Sequence, residues 1–308
     1  MFPHVSVLLE EVRQAFAVKR LYTFVDATLG AGGHAEAILQ DHPEIVRFVG
    51  IDQDPDARAI AAKRLQPWKD KVIIVPGNFS ELSQHLNNLK INTIDGILFD
   101  LGVSSMQLDQ AEKGFSFSKE GPLDMRMNPE GELTAATIVN TWSEKELARI
   151  IRDYGEEKQW RKAAYAIVQE RAKEPIVTTS QLAALLNRSL FRKKKELNPA
   201  TLVFQALRIC VNSELEVVEK TIPLAIQKLS KGGRLAVISF HSLEDRIVKR
   251  AMQFAASDKW DNSGIGGVFL DKAPEVCLVT RKPLIATEEE TNRNPRSRSA
   301  KLRIIEKL

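Results

Sequence analysis

The segment Asp26-Ala-Thr-Leu-Gly30-Ala-Gly32-Gly33-His34 constrains the fold more than any other stretch of the chain. It follows the short apolar run Tyr22–Asp26 and precedes a helix-like segment, His34–Gln40. A strand that passes through a glycine turn into a helix is the opening of a βαβ unit, and hence of a parallel sheet. The alternation then recurs. Val46–Asp52, Val72–Val75 and Ile94–Asp100 are rich in branched and aromatic residues, and Asp56–Leu65 reads as the helix between the second and third of the four runs. Nearly continuous apolar strands with helices between them indicate a sheet covered on both faces. The expected fold class is α/β, doubly wound.

After Asp100 the pattern changes. Ser105–Gly131 is rich in Gly, Pro and Met and reads as a long loop. Helices follow. Ser143 and Glu146 form a capping box, and Leu147, Ile150, Ile151 and Tyr154 continue at helical spacing until Gly155 ends the run. Trp160, Ala164, Ile167 and Val168 make a second apolar stripe that stops before Pro175, and Leu182, Leu185, Leu186 and Leu190 make a third. Asn198-Pro199 opens another helix, with Val203, Leu207, Cys210 and Val211 on its buried face. Leu235–Phe240 is the next buried strand, and Val276–Thr280 with Leu302–Ile305 suggest a terminal antiparallel pair. The organisation expected is a sheet domain in two parts, residues 1–107 and 201–308, split by a loop and helical insertion at 108–200.

A length of 308 residues agrees with about two domains at roughly 150 residues each. Cys210 and Cys277 have no second Cys or His at ligand spacing, so neither a metal site nor a redox motif is expected, and isolated cysteines suit a reducing cytoplasm. No apolar run approaches the ~20 residues that span a bilayer. The apolar stretch Val5–Leu9 is followed by Glu10 and Glu11 and lacks the basic start of a signal peptide. A net charge of +4 neither requires nor excludes a nucleic-acid partner, because local patches matter more than their sum.

The glycines permit a tight turn and close approach of a ligand to the backbone, and the helix start offers free N–H groups. Asp52 ends the next strand, where a carboxylate can accept hydrogen bonds from ribose hydroxyls. Gly30, Gly32 and Ala35 fit a G-x-G-x-x-A dinucleotide fingerprint. The same loop with its acid at Asp26 fits S-adenosylmethionine, which shares the adenosine but has no phosphates. Phe79 follows the third strand and is placed either to cover an adenine or to pack in the core. Asp100 ends the fourth strand, placed either to point into the same crevice or to serve as a plain loop cap.

Together these residues resemble the bacterial small-subunit ribosomal RNA (cytosine-N4)-methyltransferases, the RsmH/MraW family. The resemblance runs through nearly the whole chain. Its blocks are His4–Glu10, Asp26–His34, Ile51–Pro55, Asn78-Phe79, Asp100–Gln107, Gly121–Met127, Ser239–Arg246 and Asn294–Arg303, with small departures at Asn128 and Ser297. It implies a Rossmann-like methyltransferase sheet that binds S-adenosylmethionine, interrupted by a helical domain that helps recognise RNA. By motif, Gly32, Gly33 and His34 would contact the methionine end of the cofactor, Asp52 the ribose and Phe79 the adenine, with Asp100 and Gln107 completing the site. The implied partner is 16S ribosomal RNA within the small subunit, near the decoding centre, and a homodimer stays open. Many amino-methyltransferases carry Asp/Asn-Pro-Pro-Tyr/Phe after the fourth strand. Here the segment is Asp100-Leu-Gly-Val103, so other groups must hold the target base.

The reaction so implied moves a methyl group to the exocyclic N4 of a cytidine. That nitrogen is a poor nucleophile because its lone pair is delocalised into the ring. An acceptor on its N–H makes the lone pair more available, and Asp100 is the candidate catalytic residue. Asp124, Arg126, His241 and Ser242 are candidate substrate residues. Two basic clusters are candidates for phosphate contact: Arg188 with Arg192, Lys193, Lys194 and Lys195, and Arg293, Arg296, Arg298, Lys301 and Arg303.

Overall fold

The computed structural model describes residues 6–191, 198–259 and 271–308, apart from the side chains of Ser105 and Met106. The chain forms two compact units, one built from Met1–Gly102 with Leu215–Leu308 and the other from Val103–Glu214.

The first unit is the expected doubly wound sheet. Its parallel strands are β1 (Thr23–Asp26), β2 (Arg47–Asp52), β3 (Val72–Pro76), β4 (Ile94–Asp100) and β5 (Leu229–Ser239). Short strands β6 (Val276–Leu278) and β7 (Leu284–Ile285) precede β8 (Lys301–Lys307), and the sheet runs β3-β2-β1-β4-β5-β8-β6, with β7 also paired to β8. The antiparallel pair read at the C-terminus exists, but β8 lies between β5 and β6 and is antiparallel to both. Strand β5 starts earlier than expected. Gly232-Gly233 lies inside it rather than before it, with Gly232 at φ +77° and a register shift opposite Ile94 and Gly96.

Period-two alternation along the strands builds two separate cores. Phe24, Phe48, Leu98, Ala236 and Ile304 face one side with Val12, Phe16, Ile38 and Ala61. Their neighbours Val25, Val49, Ile97, Val237 and Ile305 face the other, with Leu82, Leu86, Ile222 and Val248. On the first side the Phe24 ring stands edge-on to Phe16 at 4.9 Å and stacks on Phe48 at 5.5 Å. A Cβ at Gly96 would enter the Phe24 ring, so a glycine is needed opposite this aromatic group.

The second unit has helices at Ala135–Thr141, Glu144–Asp153, Trp160–Arg171, Thr179–Ser189 and Ala200–Asn212 around one apolar core. Ser143 Oγ accepts the Glu146 N–H and Glu146 accepts the Ser143 N–H, closing the expected capping box. Asn198 caps the last helix, its side chain accepting the Ala200 N–H at 2.9 Å. That helix shifts the boundary read from sequence. Val203, Phe204 and Leu207 are buried in the helical core, so Ala200–Asn212 belongs to the insertion and the sheet unit resumes at Leu215 rather than 201. At the other end the sheet unit stops at Gly102, not 107. Among the described residues no helix is long and apolar enough to cross a membrane.

Candidate functional site

In an open parallel sheet, ligands bind beyond the C-terminal ends of the strands, where neighbouring connections leave in opposite directions. Here that point lies between β1 and β4. The loop after β1 is fixed by its own backbone: Ala27 N–H donates to Leu98 O, Leu29 N–H to Ile51 O and Gly32 N–H to Leu29 O, each at 2.9 Å. Gly30 and Gly32 have φ of +51° and +78°, which a side chain would strain. The helix Gly33–Asp41 then begins with its first N–H groups at this turn.

Three strand-end carboxylates surround the loop. Asp52 accepts the Gly30 N–H at 2.7 Å through one oxygen and the Asp54 N–H at 2.8 Å through the other. It therefore ties β2 to the glycine turn, and each oxygen keeps a second lone pair for a ligand hydroxyl. Burial raises its pKa, opposed by those two N–H groups. Asp26 is almost wholly buried, accepts only the Thr28 N–H at 3.2 Å, and is pushed up to about 7 by burial, with the Asp52 charge adding to the rise. Asp100 is positioned by its own N–H, which donates to Thr28 Oγ1 at 2.6 Å. Burial, then the charges of Asp26 and Glu244, push its carboxyl up to about 8.

His34, the second residue of the helix, brings its Nε2 to 3.7 Å from Asp100 Oδ2, beyond hydrogen-bonding distance. Burial pushes the imidazole down to about 4, partly offset by the nearby Val7 backbone, so the ring is neutral at physiological pH. His34 Nε2 and Asp100 Oδ1 are both buried without a hydrogen-bond partner among the described residues. Unpaired buried polar atoms are costly, so a ligand group that paired with them here would be favoured. The charge pattern narrows the ligand. Asp52 raises Asp26, and Asp26 and Glu244 raise Asp100, so this end of the sheet disfavours further negative charge such as a pyrophosphate. A cationic group would be attracted and would relieve the repulsion. The dinucleotide reading of the glycine loop therefore loses its support.

The other expected residues separate into several cases. Phe79 starts a turn after β3, where Asn78 accepts the Ser80 N–H at 2.8 Å and donates to Gln53 Oε1 at 3.1 Å. Its half-buried ring packs one side against the core and meets Phe99 edge-on at 5.4 Å, which leaves the rest of the ring accessible. Gln107 lies in the helical unit, where its Oε1 accepts the Ser104 N–H at 3.0 Å. His241 caps the helix Ser242–Ala256: its Nδ1 accepts the Glu244 N–H, and Glu244 accepts the His241 and Phe240 N–H groups. Ser242 is the exposed first residue of that helix.

Asp124 and Arg126 form a closed structural unit instead of an open contact. Arg126 pairs bidentately with Asp124 at 2.7 and 2.8 Å, and its remaining nitrogen donates to Pro129 O and Gly131 O. The guanidinium is spent on holding the loop at 124–131, which corrects the expectation of free donors there. The C-terminal basic cluster also divides. Arg303 is buried and bonds Asp245 at 2.7 and 3.2 Å, with Lys301 3.4 Å from the same carboxylate, whereas Arg293, Arg296 and Arg298 are exposed. In the other cluster Arg188 pairs with Glu170 at 2.6 Å, and Arg192, Lys193, Lys194 and Lys195 lie outside the described residues.

One feature of the site was read only in part and another escaped the sequence reading. Asp26 sits within the loop motif, yet the resemblance assigned it no contact. Its position at the buried end of an apolar strand was the available signal. Thr28, which orients Asp100, gave none, because the bond spans 72 residues.

A doubly wound α/β protein with three strand-end carboxylates gathered at a glycine turn is thus defined by the fold and the site together. The family model described as MraW methylase family matches residues 1–308, and the chain belongs to that family. The relative named Ribosomal RNA small subunit methyltransferase H from Protochlamydia amoebophila (strain UWE25) is 60% identical, covering 100% of this chain and 98% of its own length. Proteins of the same name from Clostridioides difficile (strain 630) and Trichlorobacter lovleyi are 44% and 47% identical, each covering 100% of this chain and 99% of its own length.

Proposed function

We propose that the protein is an S-adenosylmethionine-dependent methyltransferase acting on the exocyclic N4 of a cytidine in 16S ribosomal RNA. The target is placed near the decoding centre of the small subunit, in the cytoplasm. The observation that carries the cofactor reading is the convergence of Asp26, Asp52 and Asp100 on a glycine turn. A ligand bearing a ribose, an ammonium and a sulfonium fits these acids, and the open lone pairs of Asp52 suit the ribose hydroxyls. Gly32, Gly33 and His34 would hold the methionine end, Phe79 the adenine side, and Gln107 a further contact. When bound, the cofactor supplies a methyl group on a sulfonium. The RNA and small-subunit readings are supported by the names of relatives at up to 60% identity over the full chain.

The chain's own task is alignment and charge placement. Ionised Asp100 accepts an N4–H and makes the nitrogen lone pair more available. With the methyl group supplied to N4 by the bound cofactor, the N4 proton would leave towards this carboxylate. Burial, with the charges of Asp26 and Glu244 added, holds the affinity of Asp100 for that proton above that of an ordinary carboxylate. The target base must be unstacked to reach the crevice. His241 and Ser242 stay candidates for the substrate side, and the exposed Arg293, Arg296 and Arg298 for phosphate contact. The test is nucleoside mass spectrometry of 16S ribosomal RNA from cells with and without the gene. Loss of an N4-methylcytidine species is expected, and an unchanged nucleoside profile would refute the reaction.

A further inference from the structure

The turn that enters the first helix carries an unusual backbone. Leu8, just before the helix Leu9–Ala17, has φ +53° and ψ +36° with its side chain fully buried. The left-handed region costs a residue with a side chain roughly 1–2 kcal/mol, so something must hold it there. Its N–H, which the helix itself cannot satisfy, donates to Glu290 Oε1 at 2.7 Å. Glu290 is only 8% exposed. It is the third residue of the helix Glu288–Arg293, and its own N–H is capped by Thr287 Oγ1 at 3.1 Å. A carboxylate that accepts a buried N–H makes one of the stronger hydrogen bonds available to a protein. This bond joins positions 282 residues apart.

What the anchored turn touches gives the bond its meaning. Ser6 Oγ occupies the place where a Cβ at Gly33 would stand, so the backbone at the helix entry and Ser6 are in direct contact. The Val7 backbone lies beside the buried His34 ring. Ser6 and Val7 therefore lie against Gly33 and His34, two residues assigned above to the methionine end of the cofactor.

We propose that Glu290 is a positioning residue for cofactor binding: by accepting the Leu8 N–H it keeps the Ser6–Leu8 turn seated on Gly33 and His34. The proposal rests on the reading of this loop as the S-adenosylmethionine site. Removal of the carboxylate leaves the Leu8 N–H unsatisfied and the left-handed turn unsupported. The turn then relaxes away, and the side of the pocket formed by Ser6 and Val7 opens. Val7 and Leu8 also pack in one of the sheet cores, so the stability of each variant is measured beside its affinity.

The experiment is isothermal titration of the full chain with S-adenosylmethionine, for wild type, Glu290→Ala, Glu290→Gln and Glu290→Asp. Hydrogen exchange at the Leu8 amide and thermal unfolding are measured in parallel. Glu290→Ala should weaken binding by up to about 10- to 150-fold, the equivalent of one buried hydrogen bond to a charged group. It should also unprotect the Leu8 amide. Glu290→Gln keeps an acceptor oxygen and should restore binding to within about threefold. Glu290→Asp withdraws the acceptor by one methylene and should fall between, and it carries the test if the alanine variant does not fold. A folded Glu290→Ala protein with unprotected Leu8 and unchanged affinity would overturn the positioning role. Wild-type protein that binds no S-adenosylmethionine would instead sink the cofactor reading itself.

Discussion

Binding of a sulfonium to the acidic crevice should release protons, and Asp100 sets the size of the effect. In the free protein its carboxyl titrates at about 8 and that of Asp26 at about 7, so at pH 7 only about one-tenth of Asp100 carries charge. A cation stabilises the ionised form and pulls the carboxyl down. The sign follows: protons leave on binding, and affinity rises with pH until the group is ionised in the free protein as well. Ionising Asp100 at pH 7 costs about 1.4 kcal/mol, so affinity should rise about tenfold between pH 7 and pH 9. Asp26, half ionised at pH 7, adds about another factor of two, and the two acids titrate as a coupled pair. Isothermal titration with S-adenosylmethionine across this range, in buffers of different ionisation enthalpy, reads both affinity and proton release. Asp100→Asn is the control. The ligand's own amino group titrates equally against both proteins, so the difference in slope isolates the carboxyl. A variant slope equal to the wild-type slope would refute the reasoning.

Other consequences can be measured directly. Asp26→Asn should raise the thermal midpoint of the ligand-free protein by about 2–6 °C at pH 8–9, the equivalent of roughly 1–2 kcal/mol. The sign is that of a carboxyl raised on folding: its destabilisation is absent below the ordinary value of 3.8, grows as pH rises, and is complete above about 7, so the gain should vanish near pH 4 in a calorimetric series. Arg126→Ala should lower stability by about 1–3 kcal/mol because it unties Asp124, Pro129 and Gly131, while leaving the salt dependence of RNA binding unchanged. Arg293→Gln with Arg298→Gln should weaken RNA binding and reduce its salt slope by about 1 for each phosphate no longer neutralised, measured by filter binding over a salt series. An unaltered slope would remove this surface from the interface.

Much of the sheet unit was legible because its signals are local. Apolar runs of strand length, glycines between strand and helix, and acids at strand ends each report on a few neighbouring residues. The observed β1, β2, β3 and β4 fall where those runs stand. The Ser143–Glu146 capping box was readable for the same reason, since both partners lie within one helical turn. Where the reading slipped, the deciding contact was distant. The helix Ala200–Asn212 has an amphipathic pattern that would serve either unit, and only its packing against the helical core assigns it. Arg126, Lys301 and Arg303 read as free positive charge because a sequence displays charges without showing which carboxylate each one meets.

The sequence by itself determined the α/β class, the glycine turn and the identity of the carboxylates, because periodicity, backbone preference and side-chain chemistry are properties of short segments. Tertiary structure alone decided how those carboxylates act. Folding buries Asp100, and strand order brings Asp26 beside β4, so that burial and then the charges of Asp26 and Glu244 raise Asp100, while Thr28 orients it across 72 residues of chain. It also brings Glu290 to Leu8, a bond that no local pattern encodes. A proton affinity depends on burial and on neighbouring charges in space, and those are fixed only when the chain has closed on itself.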